Sequence, residues 1–591
     1  MKPLVQVDQL RVVARNDAGA DIPIVKGVSF ALNKGEVLAL IGESGSGKTT
    51  IALSLMGYAR QGCRIAGGQV RVGEQQVLEL DDKGLSALRG RTVAYIAQSA
   101  SSAFNPSKTL MDQVVESAAI HHTMTRAQAE AKAVALFRAL ALPDPERLGA
   151  RYPHQVSGGQ LQRVMAAMAF ITDPALVILD EPTTALDVTT QIEVLRAFKD
   201  VVRQLGTTAV YVSHDLAVVA QMADRIVVLR DGEIREDGAT PQVLKAPAHD
   251  YTRSLLAAAE PAVRDIGIEL PVLTRLAPPL LEIRGLHAGY GPAGADGLPS
   301  KRILGDINLT IARGEVLLDG GALPSCTAGR TREQHQRVQF VFQNADTSLN
   351  PAHTIGGILA RPLSFYHGLK GDARRRRVLQ LLDLVRLPAA IASRLPGELS
   401  GGQKQRINLA RALAAEPDLI LCDEITSALD TVVAAAILDL MAELRRELKV
   451  SYMFISHDIS TVRAICDEIV VLYAGSKVEA RPREALAEAP FHPYSHLLIS
   501  SVPKLEQGWL DGVCARSAGS LPPLAGSAPA AAAGAGLCTF LPRCAERIDG
   551  VCNRLPPPRQ LLANGGEILC HHAPADLALR QSPLHRFEEV A

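Results

Sequence analysis

The feature that most constrains this chain of 591 residues is an internal repeat, in which short polar motifs recur at fixed distances. In each copy, a glutamate lies 24 positions after a serine, and a histidine lies 33 positions after that glutamate. These residues are Ser157, Glu181 and His214 in the first copy, and Ser400, Glu424 and His457 in the second. A repeat unit of this length predicts two similar domains in one chain, because solenoid proteins repeat every 20 to 50 residues or so.

A glycine-rich loop in the first copy has the spacing that binds nucleotide phosphates. It follows the apolar segment 37–41, a predicted strand, and precedes a predicted helix, which is the context that the pattern G-x-x-x-x-G-K-[ST] requires. Backbone N–H groups of such a loop surround the phosphates, the lysine reaches the β- and γ-phosphates, and the hydroxyl binds Mg²⁺. The predicted ATP-binding residues are Gly42, Glu43, Ser44, Gly45, Ser46, Gly47, Lys48, Thr49 and Thr50.

An acidic pair follows a second apolar segment of the first copy. Residues 176–180 are predicted to form a buried parallel strand that ends at Asp180, and Glu181 comes directly after it. A strand that delivers one carboxylate to Mg²⁺ and places another to polarise a water molecule suits phosphoryl transfer to water. The first copy is therefore predicted to hydrolyse a nucleoside triphosphate, with Asp180 as a metal ligand and Glu181 as a catalytic residue.

Further motifs of the first copy resemble the ATP-binding cassette (ABC) family. The segment Ser157-Gly158-Gly159-Gln160, which opens a predicted helix, is similar to the signature motif of that family. Gln98 resembles its Q-loop glutamine, the segment 184–187 its D-loop, and His214 its switch histidine. The resemblance implies that Gln98 contacts Mg²⁺ and a membrane partner, and that His214 contacts the γ-phosphate. It also implies that cassettes pair head to tail, so that the signature of one caps the ATP of the other. The signature residues expected to complete the first copy's site are Ser400, Gly401, Gly402 and Gln403.

The second copy departs from the repeat at its phosphate loop. Glu36 lies 62 residues before Gln98, whereas Glu315, in the matching Gly-Glu-Val segment, lies only 28 residues before Gln343, so about 34 residues are absent. On this alignment the gap covers the phosphate loop, the helix after it and the next connection, and no Lys-Thr pair replaces the one that ends the first loop. The sequence thus predicts one working nucleotide site, unless the gap is an error in the sequence itself.

Both copies are expected to adopt an α/β fold, with two ABC-type P-loop ATPase cassettes in one chain. Each would have a parallel-sheet core, with the phosphate loop at the carboxyl end of a strand, and a helical lobe that carries the signature. In the second copy, the gap is expected to remove the helix that packs on the sheet and a strand after it. The predicted boundaries are 1–262 for the first cassette, 263–278 for a linker, 279–505 for the second cassette and 506–591 for a cysteine-containing tail.

Composition restricts what these cassettes act on. The 62 Lys and Arg residues equal the 62 Asp and Glu residues, so no basic excess favours nucleic acid. No run of 18 or more apolar residues predicts a membrane span. We therefore expect a peripheral protein at the cytoplasmic face of the inner membrane, which borrows any membrane-spanning part from partner subunits.

Four segments resemble the branch of the ABC family that imports peptides and nickel. They are Ser102–Pro106, Asp250–Leu256, Thr347–Pro351 and His492–Leu498. The resemblance implies an importer of peptides or similar small solutes, of the dipeptide, oligopeptide, glutathione, nickel or metallophore type, with two permease subunits and an extracytoplasmic substrate-binding protein. Two alternatives stay open: a soluble tandem ABC ATPase that acts on nucleic acid or ribosomes, and a regulatory or decayed protein that does not hydrolyse ATP.

The tail contains four of the nine cysteines of the chain. They are Cys538, Cys544, Cys552 and Cys570. The same branch carries such a tail, and some of its members hold an iron-sulfur cluster there. Four thiolates could ligate a [4Fe-4S] cluster or a zinc ion, and unliganded thiols are the third alternative.

Overall fold

The computed structural model describes residues 2–15, 19–183, 186–259, 280–293, 299–309, 315–324, 329–427, 429–512 and 536–581. The predicted linker at 263–278 lies outside these residues. The chain forms two compact units, one of residues 1–260 with 430–432 and 501–527, and one of residues 261–429, 433–500 and 528–591. In the part of the chain described, no helix is long and apolar enough to cross a membrane.

The first unit alternates strands and helices in the order of an α/β fold. Its strands are β1 (Val5–Arg15), β2 (Asp21–Leu32), β3 (Val37–Ile41), β4 (Cys63–Val72), β5 (Gln75–Gln76), β6 (Val93–Ile96), β7 (Leu176–Asp180), β8 (Thr208–Val212), β9 (Arg225–Arg230) and β10 (Glu233–Ala239). Its helices are α1 (Lys48–Ser54), α2 (Asp82–Leu88), α3 (Ala100–Ala103), α4 (Leu110–Val114), α5 (Glu116–Ile120), α6 (Arg126–Ala139), α7 (Pro145–Leu148), α8 (Gly158–Phe170), α9 (Val188–Leu205), α10 (Leu216–Met222), α11 (Thr240–Lys245) and α12 (Asp250–Ala259).

The central sheet of this unit has the strand order β10-β9-β3-β8-β7-β6 and is parallel except at the β10 edge. Its strands β7 and β8 are buried along their whole length, as in a parallel sheet that is covered on both faces. Successive side chains of β3 point to opposite faces of the central sheet. Leu38 and Leu40 pack with α1 and the antiparallel sheet β2-β1-β4-β5, whereas Ala39 and Ile41 pack with α8, α9 and α10. The connection from β3 to α1 therefore lies at the carboxyl edge of the sheet.

A segment from far along the chain, residues 501–512, completes the first unit. Leu510 is fully buried and Trp509 is 9% exposed, and both belong to the apolar core around α9 and α10. Gln221 of α10 donates from Nε2 to two carbonyl oxygens of the segment, at 2.7 and 2.8 Å. Its Oε1 accepts a hydrogen bond from the N–H of Leu510 at 3.0 Å. The segment is thus fixed to the first unit by both apolar packing and buried hydrogen bonds.

We expect Leu510→Ala to destabilise the first unit by about 2 to 4 kcal/mol, because it removes a fully buried side chain and leaves a cavity. Trp509 is the only tryptophan of the chain, so its fluorescence reports on this unit. The midpoint of urea unfolding, followed by tryptophan emission, should fall in this variant. It should stay unchanged in Gln507→Ala, which alters an exposed residue of the same segment. Equal midpoints for Leu510→Ala and the wild type would mean that the segment does not stabilise the unit.

The second copy repeats this order of elements with fewer strands before its helical region. Its strands and those of the tail are β11 (Leu281–Ala293), β12 (Pro299–Leu309), β13 (Glu315–Leu318), β14 (Gly321–Ala322), β15 (Val338–Val341), β16 (Leu419–Asp423), β17 (Ser451–Ile455), β18 (Glu468–Tyr473), β19 (Ser476–Pro482), β20 (Arg559–Leu561) and β21 (Glu567–Leu569). The helices are α13 (Arg332–Arg337), α14 (Ala345–Ser348), α15 (Ile355–His367), α16 (Gly371–Leu384), α17 (Gly401–Leu413), α18 (Thr431–Leu448), α19 (Ile459–Ile465), α20 (Pro493–Ser500) and α21 (Pro574–Arg580).

Strand β13 corrects the alignment drawn from the sequence, which matched Glu315 with Glu36 at the start of β3. In the structure β13 pairs antiparallel with β11, with Leu318 opposite Leu281, just as β4 pairs with β1. The short strand β14 then pairs with β13 as β5 pairs with β4. No strand among the described residues therefore corresponds to β3, so the gap takes in the central strand as well as the phosphate loop and its helix, whereas the strand after that helix, which was expected to be lost, is present as β13. The Gly-Glu-Val match was misleading, because a short apolar run fits either strand and only its pairing partner distinguishes them.

The loss of the central strand divides the main sheet of the second unit in two. In the first unit β3 lies between β9 and β8. In the second, β15, β16 and β17 form a three-stranded parallel sheet, and β18 and β19 belong to a separate sheet of order β18-β19-β21-β20. No strand in the described ranges pairs with the outer edge of β17, which is partly exposed where its counterpart β8 is buried.

Candidate functional site

The phosphate loop of the first copy connects the end of β3 to the N-terminus of α1. Gly42 and Gly47 have φ angles of 144° and 95°, which side chains other than glycine rarely adopt. A Cβ atom at Gly42 would also come within 2.1 Å of the carbonyl oxygen of Leu229. The hydroxyl of Ser46 is buried and has no hydrogen-bond partner among the described residues. A turned backbone with an unsatisfied hydroxyl fits the oxygens of bound phosphates.

Lys48 is held along this loop. Its side chain is buried, and Nζ donates to the carbonyl oxygens of Gly42 at 2.7 Å and Glu43 at 2.8 Å. Burial lowers the pKa of Lys48, and the negative charge of Glu181 acts in the opposite direction. The ammonium group therefore lies in the loop, where a lysine can reach the β- and γ-phosphates of a nucleotide.

Asp180, at the end of β7, accepts hydrogen bonds from two hydroxyl groups. Thr49 Oγ1 lies 3.0 Å from Oδ1, and the Tyr95 hydroxyl donates to Oδ2 at 2.7 Å. Burial raises the pKa of Asp180, and both hydrogen bonds oppose that rise. The structure thus brings together two of the three side chains that the sequence predicts as Mg²⁺ ligands. Tyr95 was not foreseen, because a tyrosine within the apolar strand β6 carries no local signal for such a contact.

Glu181 is held by the two other polar residues predicted for the site. Gln98 Nε2 donates to one carboxylate oxygen at 2.9 Å, and His214 Nδ1 lies 2.9 Å from the other. Burial lowers the pKa of His214, but its hydrogen bond and charge interaction with Glu181 outweigh that effect, so the net shift is upward. Glu181 also has a φ of 48°, a conformation that costs a non-glycine residue about 1 to 3 kcal/mol. A carboxylate fixed in this way, with an imidazole beside it, can accept a proton from water.

The signature motifs of both copies start a helix in the same way. The hydroxyls of Ser157 and Ser400 accept from the N–H of the glutamine three residues later, at 3.3 and 3.4 Å. Each glutamine Oε1 accepts in turn from the serine N–H, at 3.1 and 3.0 Å, which completes a capping box. Both serines are exposed, so the positive ends of α8 and α17 are open to an anion. A Cβ atom at Gly402 would come within 2.4 Å of Val433 Cγ1, which explains why a glycine stands there.

The D-loops are described only in part, since Thr184 and Ala185 of the first copy and Ala428 of the second lie outside the described residues. Asp187 is described, and its Oδ1 accepts from the N–H of Thr190 at 3.1 Å, which caps α9. The D-loop of the first copy therefore leads directly into a long, capped helix.

The second copy keeps the contacts of its glutamate. Gln343 Nε2 donates to Glu424 at 2.5 Å, and His457 Nδ1 lies 2.9 Å from the other carboxylate oxygen. Glu424 has a φ of 44°, close to that of Glu181. The residues around the predicted Mg²⁺ ligands differ between the copies. Phe340 stands on β15 where the first copy has Tyr95, and the described residues contain no counterpart of Thr49. This copy thus retains the glutamate cluster, that is, Glu424 with Gln343 and His457, without a phosphate loop.

The tail cysteines lie in the second unit as free thiols. Cys552 and Cys570 are buried, whereas Cys538 and Cys544 are half-buried. Cys538 Sγ lies 3.9 Å from His492 Nε2. Within the described ranges, no group of three or more His, Cys, Asp or Glu side chains is close enough to hold a metal ion. The structure therefore does not arrange the four thiols as a ligand set.

Known proteins resemble this chain over most of its length. The family described as "ABC transporter" matches residues 25–184 and 301–427, and the "Oligopeptide/dipeptide transporter, C-terminal region" matches residues 478–552. The "Glutathione import ATP-binding protein GsiA" of Salmonella paratyphi A is 36% identical over 557 residues, which cover 83% of this chain and 88% of that protein. Its namesake in Escherichia coli K12 is 34% identical over 564 residues, which cover 85% and 89%. A solved structure of a bacterial ABC transporter cassette, 25% identical, covers 40% of this chain and 98% of its own, with a TM-score of 0.36.

These relatives show that the chain belongs to the ABC transporter family. Within that family it is an ATP-hydrolysing subunit, similar to proteins named for glutathione import. ATP and Mg²⁺ are accordingly its substrate and its metal cofactor.

Proposed function

We propose that this protein energises the import of a small peptide by hydrolysing ATP at one site only, in its first cassette. The observation that carries the proposal is the contrast between the two copies. The first joins a phosphate loop, an aspartate with two hydroxyl partners and a glutamate with glutamine and histidine partners. The second has only the glutamate cluster among its described residues.

Each residue of the first site has a separate role in this proposal. The loop from Gly42 to Thr50 holds the phosphates, with Lys48 at the β- and γ-phosphates. Thr49, Asp180 and Gln98 would hold Mg²⁺, whose charge offsets the negative charge of the phosphate oxygens. Glu181 orients the attacking water and takes its proton, and His214 contacts the γ-phosphate while it holds Glu181 in place. By resemblance to the family, the signature residues Ser400, Gly401, Gly402 and Gln403 contribute to the same nucleotide.

The second cassette would not hydrolyse ATP, because a general base without a phosphate loop has no substrate to act on. Its exposed, capped signature helix is the part that supports a retained role. The protein as a whole would therefore be asymmetric, with one hydrolytic cassette and one that assists it.

The relatives support a proposal for the cargo and the partners. Proteins named for glutathione import, and a C-terminal region named for oligopeptide and dipeptide transporters, support a small peptide such as glutathione as the cargo. Two permease subunits and an extracytoplasmic substrate-binding protein would complete the importer. The protein would sit at the cytoplasmic face of the inner membrane, attached through the permeases and without a role in nucleic-acid binding.

The test is ATP-dependent uptake into proteoliposomes that contain this protein and its permeases, with the substrate-binding protein supplied outside. Glutathione, a dipeptide and Ni²⁺ are offered in parallel, and the proposal expects uptake of a peptide. Uptake of Ni²⁺ alone would contradict the peptide assignment. Co-purification of the full chain with RNA or ribosomes, and not with permeases, would favour the soluble tandem ATPase instead.

We propose separately that the four tail cysteines hold an iron-sulfur cluster. Two observations support a special role for these thiols: they are unpaired and gathered in one short segment, and Cys552 Sγ accepts a hydrogen bond from the N–H of Ile548 at 3.3 Å. Because the thiols are not arranged as a ligand set, they would have to turn toward one another to bind a cluster. Iron, sulfide and zinc are measured in protein purified without oxygen. Four irons per chain would support the proposal, and zinc or no metal would contradict it.

A further inference from the structure

A tyrosine outside all of the predicted site residues contacts the phosphate loop. Tyr251, on α12, is 5% exposed, and its hydroxyl accepts a hydrogen bond from the backbone N–H of Glu43 at 3.2 Å. The guanidinium group of Arg230 lies over its ring, 4.7 Å from the centroid, at cation–π distance. The ring is thus fixed between the end of β9 and the loop.

The start of α12 is held so that this ring cannot easily turn away. The carboxylate of Glu236, on β10, accepts from the N–H groups of Ala248 at 2.8 Å and His249 at 3.1 Å. His249 Nδ1 accepts in turn from the N–H of Tyr251 at 3.0 Å. Burial raises the pKa of Tyr251 to about 12, so the hydroxyl stays protonated and neutral at physiological pH. The Tyr251 hydroxyl is therefore a rigidly held, neutral hydrogen-bond acceptor next to the phosphate loop.

The second copy contains the same turn without a phosphate loop. His492 N–H donates to the buried carboxylate of Glu479 at 2.8 Å, and the N–H of Tyr494 donates to His492 Nδ1 at 3.1 Å. The ring of Tyr494 packs on Tyr473 and Phe540, with centroids 4.6 and 5.4 Å away. The repeat thus preserves the tyrosine and its turn, while the contact with a loop N–H belongs to the copy that has the loop.

We propose that Tyr251 is a positioning residue for ATP binding, which fixes the entry of the phosphate loop through the N–H of Glu43. An N–H group that donates to Tyr251 cannot also donate to a phosphate. The hydrogen bond therefore selects a loop conformation in which the later N–H groups of the loop are the ones that face the nucleotide. Such a residue should affect the affinity for ATP and not the chemical step. This inference rests on the proposed role of Gly42 to Thr49 as the ATP-binding loop.

The test is Tyr251→Phe in the full chain, assembled with its permeases. Loss of one neutral hydrogen bond is expected to raise the KM and the Kd for ATP about fivefold, with kcat changed by less than twofold. Arg230→Gln, which removes the cation over the ring, should shift KM in the same direction by a smaller factor. The matched control is Tyr494→Phe, which removes the equivalent hydroxyl of the second copy and should leave the KM unchanged.

Three outcomes would overturn the inference: an unchanged KM in Tyr251→Phe, an equal change in Tyr494→Phe, or a loss confined to kcat. Thermal unfolding of both phenylalanine variants separates a folding defect from a change in affinity, and a matching fall in stability with unchanged affinity also counts against the proposal. Lys48→Ala distinguishes a failure of the proposed ATP-binding loop from a failure of the proposed role of Tyr251. If that variant still binds ATP, the loop assignment fails. If it loses ATP while Tyr251→Phe binds normally, only the role of Tyr251 fails.

Discussion

Glu181→Gln is expected to lower the rate of ATP hydrolysis by about 10² to 10⁴ fold, the range typical of a lost general base. The substitution keeps the shape of the side chain, so the contacts with Gln98 and His214 can be largely retained. What it removes is the basic oxygen that we propose takes the proton from water. Phosphate release by the protein assembled with its permeases measures this rate.

Glu424→Gln is the matched control for this prediction. Glu424 has nearly the same φ angle as Glu181, and its glutamine and histidine partners stand at the same places in the repeat. Any nonspecific damage from the substitution should therefore appear in both variants. We expect the Glu424→Gln rate to stay within about twofold of the wild type, since no phosphate loop serves that glutamate. Equal losses in the two variants would refute the single-site proposal.

Lys48→Ala is expected to weaken ATP binding by about 100-fold or more, because it removes the buried ammonium group that we propose bonds to the phosphate oxygens. Hydrogen bonds to charged groups contribute about 1.5 to 3 kcal/mol each, and the lysine can make more than one. Equilibrium dialysis with radiolabelled ATP should give one nucleotide per chain for the wild type. The variant should bind none at the same ATP concentration.

The control for this prediction is Lys26→Ala. Lys26 lies on β2 of the same cassette, and its partly exposed ammonium group is 3.8 Å from the carboxylate of Glu233. Lys26→Ala changes the net charge by the same amount as Lys48→Ala, and this variant should still bind one ATP per chain. Two nucleotides bound per wild-type chain would mean that the second cassette also binds ATP, contrary to the proposal.

Local motifs were enough to predict the parts of the site that lie next to one another in sequence. The phosphate loop and the Asp180-Glu181 pair were found because each follows an apolar strand directly. The family resemblance also assigned Gln98 and His214 to the same site, at Mg²⁺ and the γ-phosphate, but it did not predict their contacts with Glu181. The structure places both Gln98 and His214 within hydrogen-bond distance of the Glu181 carboxylate.

Contacts that depend on long-range packing could not be predicted in this way. Tyr95 and Tyr251 reach the site from a strand and a helix whose apolar patterns look like ordinary core. The segment around Leu510 returns to the first unit after about 250 residues of other structure, and no local pattern encodes its destination. The identity of β13 was misjudged for the same reason, since strand pairing is decided by the whole sheet.

The divided sheet of the second cassette has a mechanical consequence. In the first cassette, backbone hydrogen bonds run without interruption from β10 to β6, so moving one end of the sheet against the other would require breaking a ladder. In the second cassette, no such ladder joins β17 to β18 among the described strands, and the chain passes from one part to the other through α19. We therefore expect these parts to shear past each other at a lower energetic cost than the corresponding strands of the first cassette, which would make the second cassette the more compliant of the two.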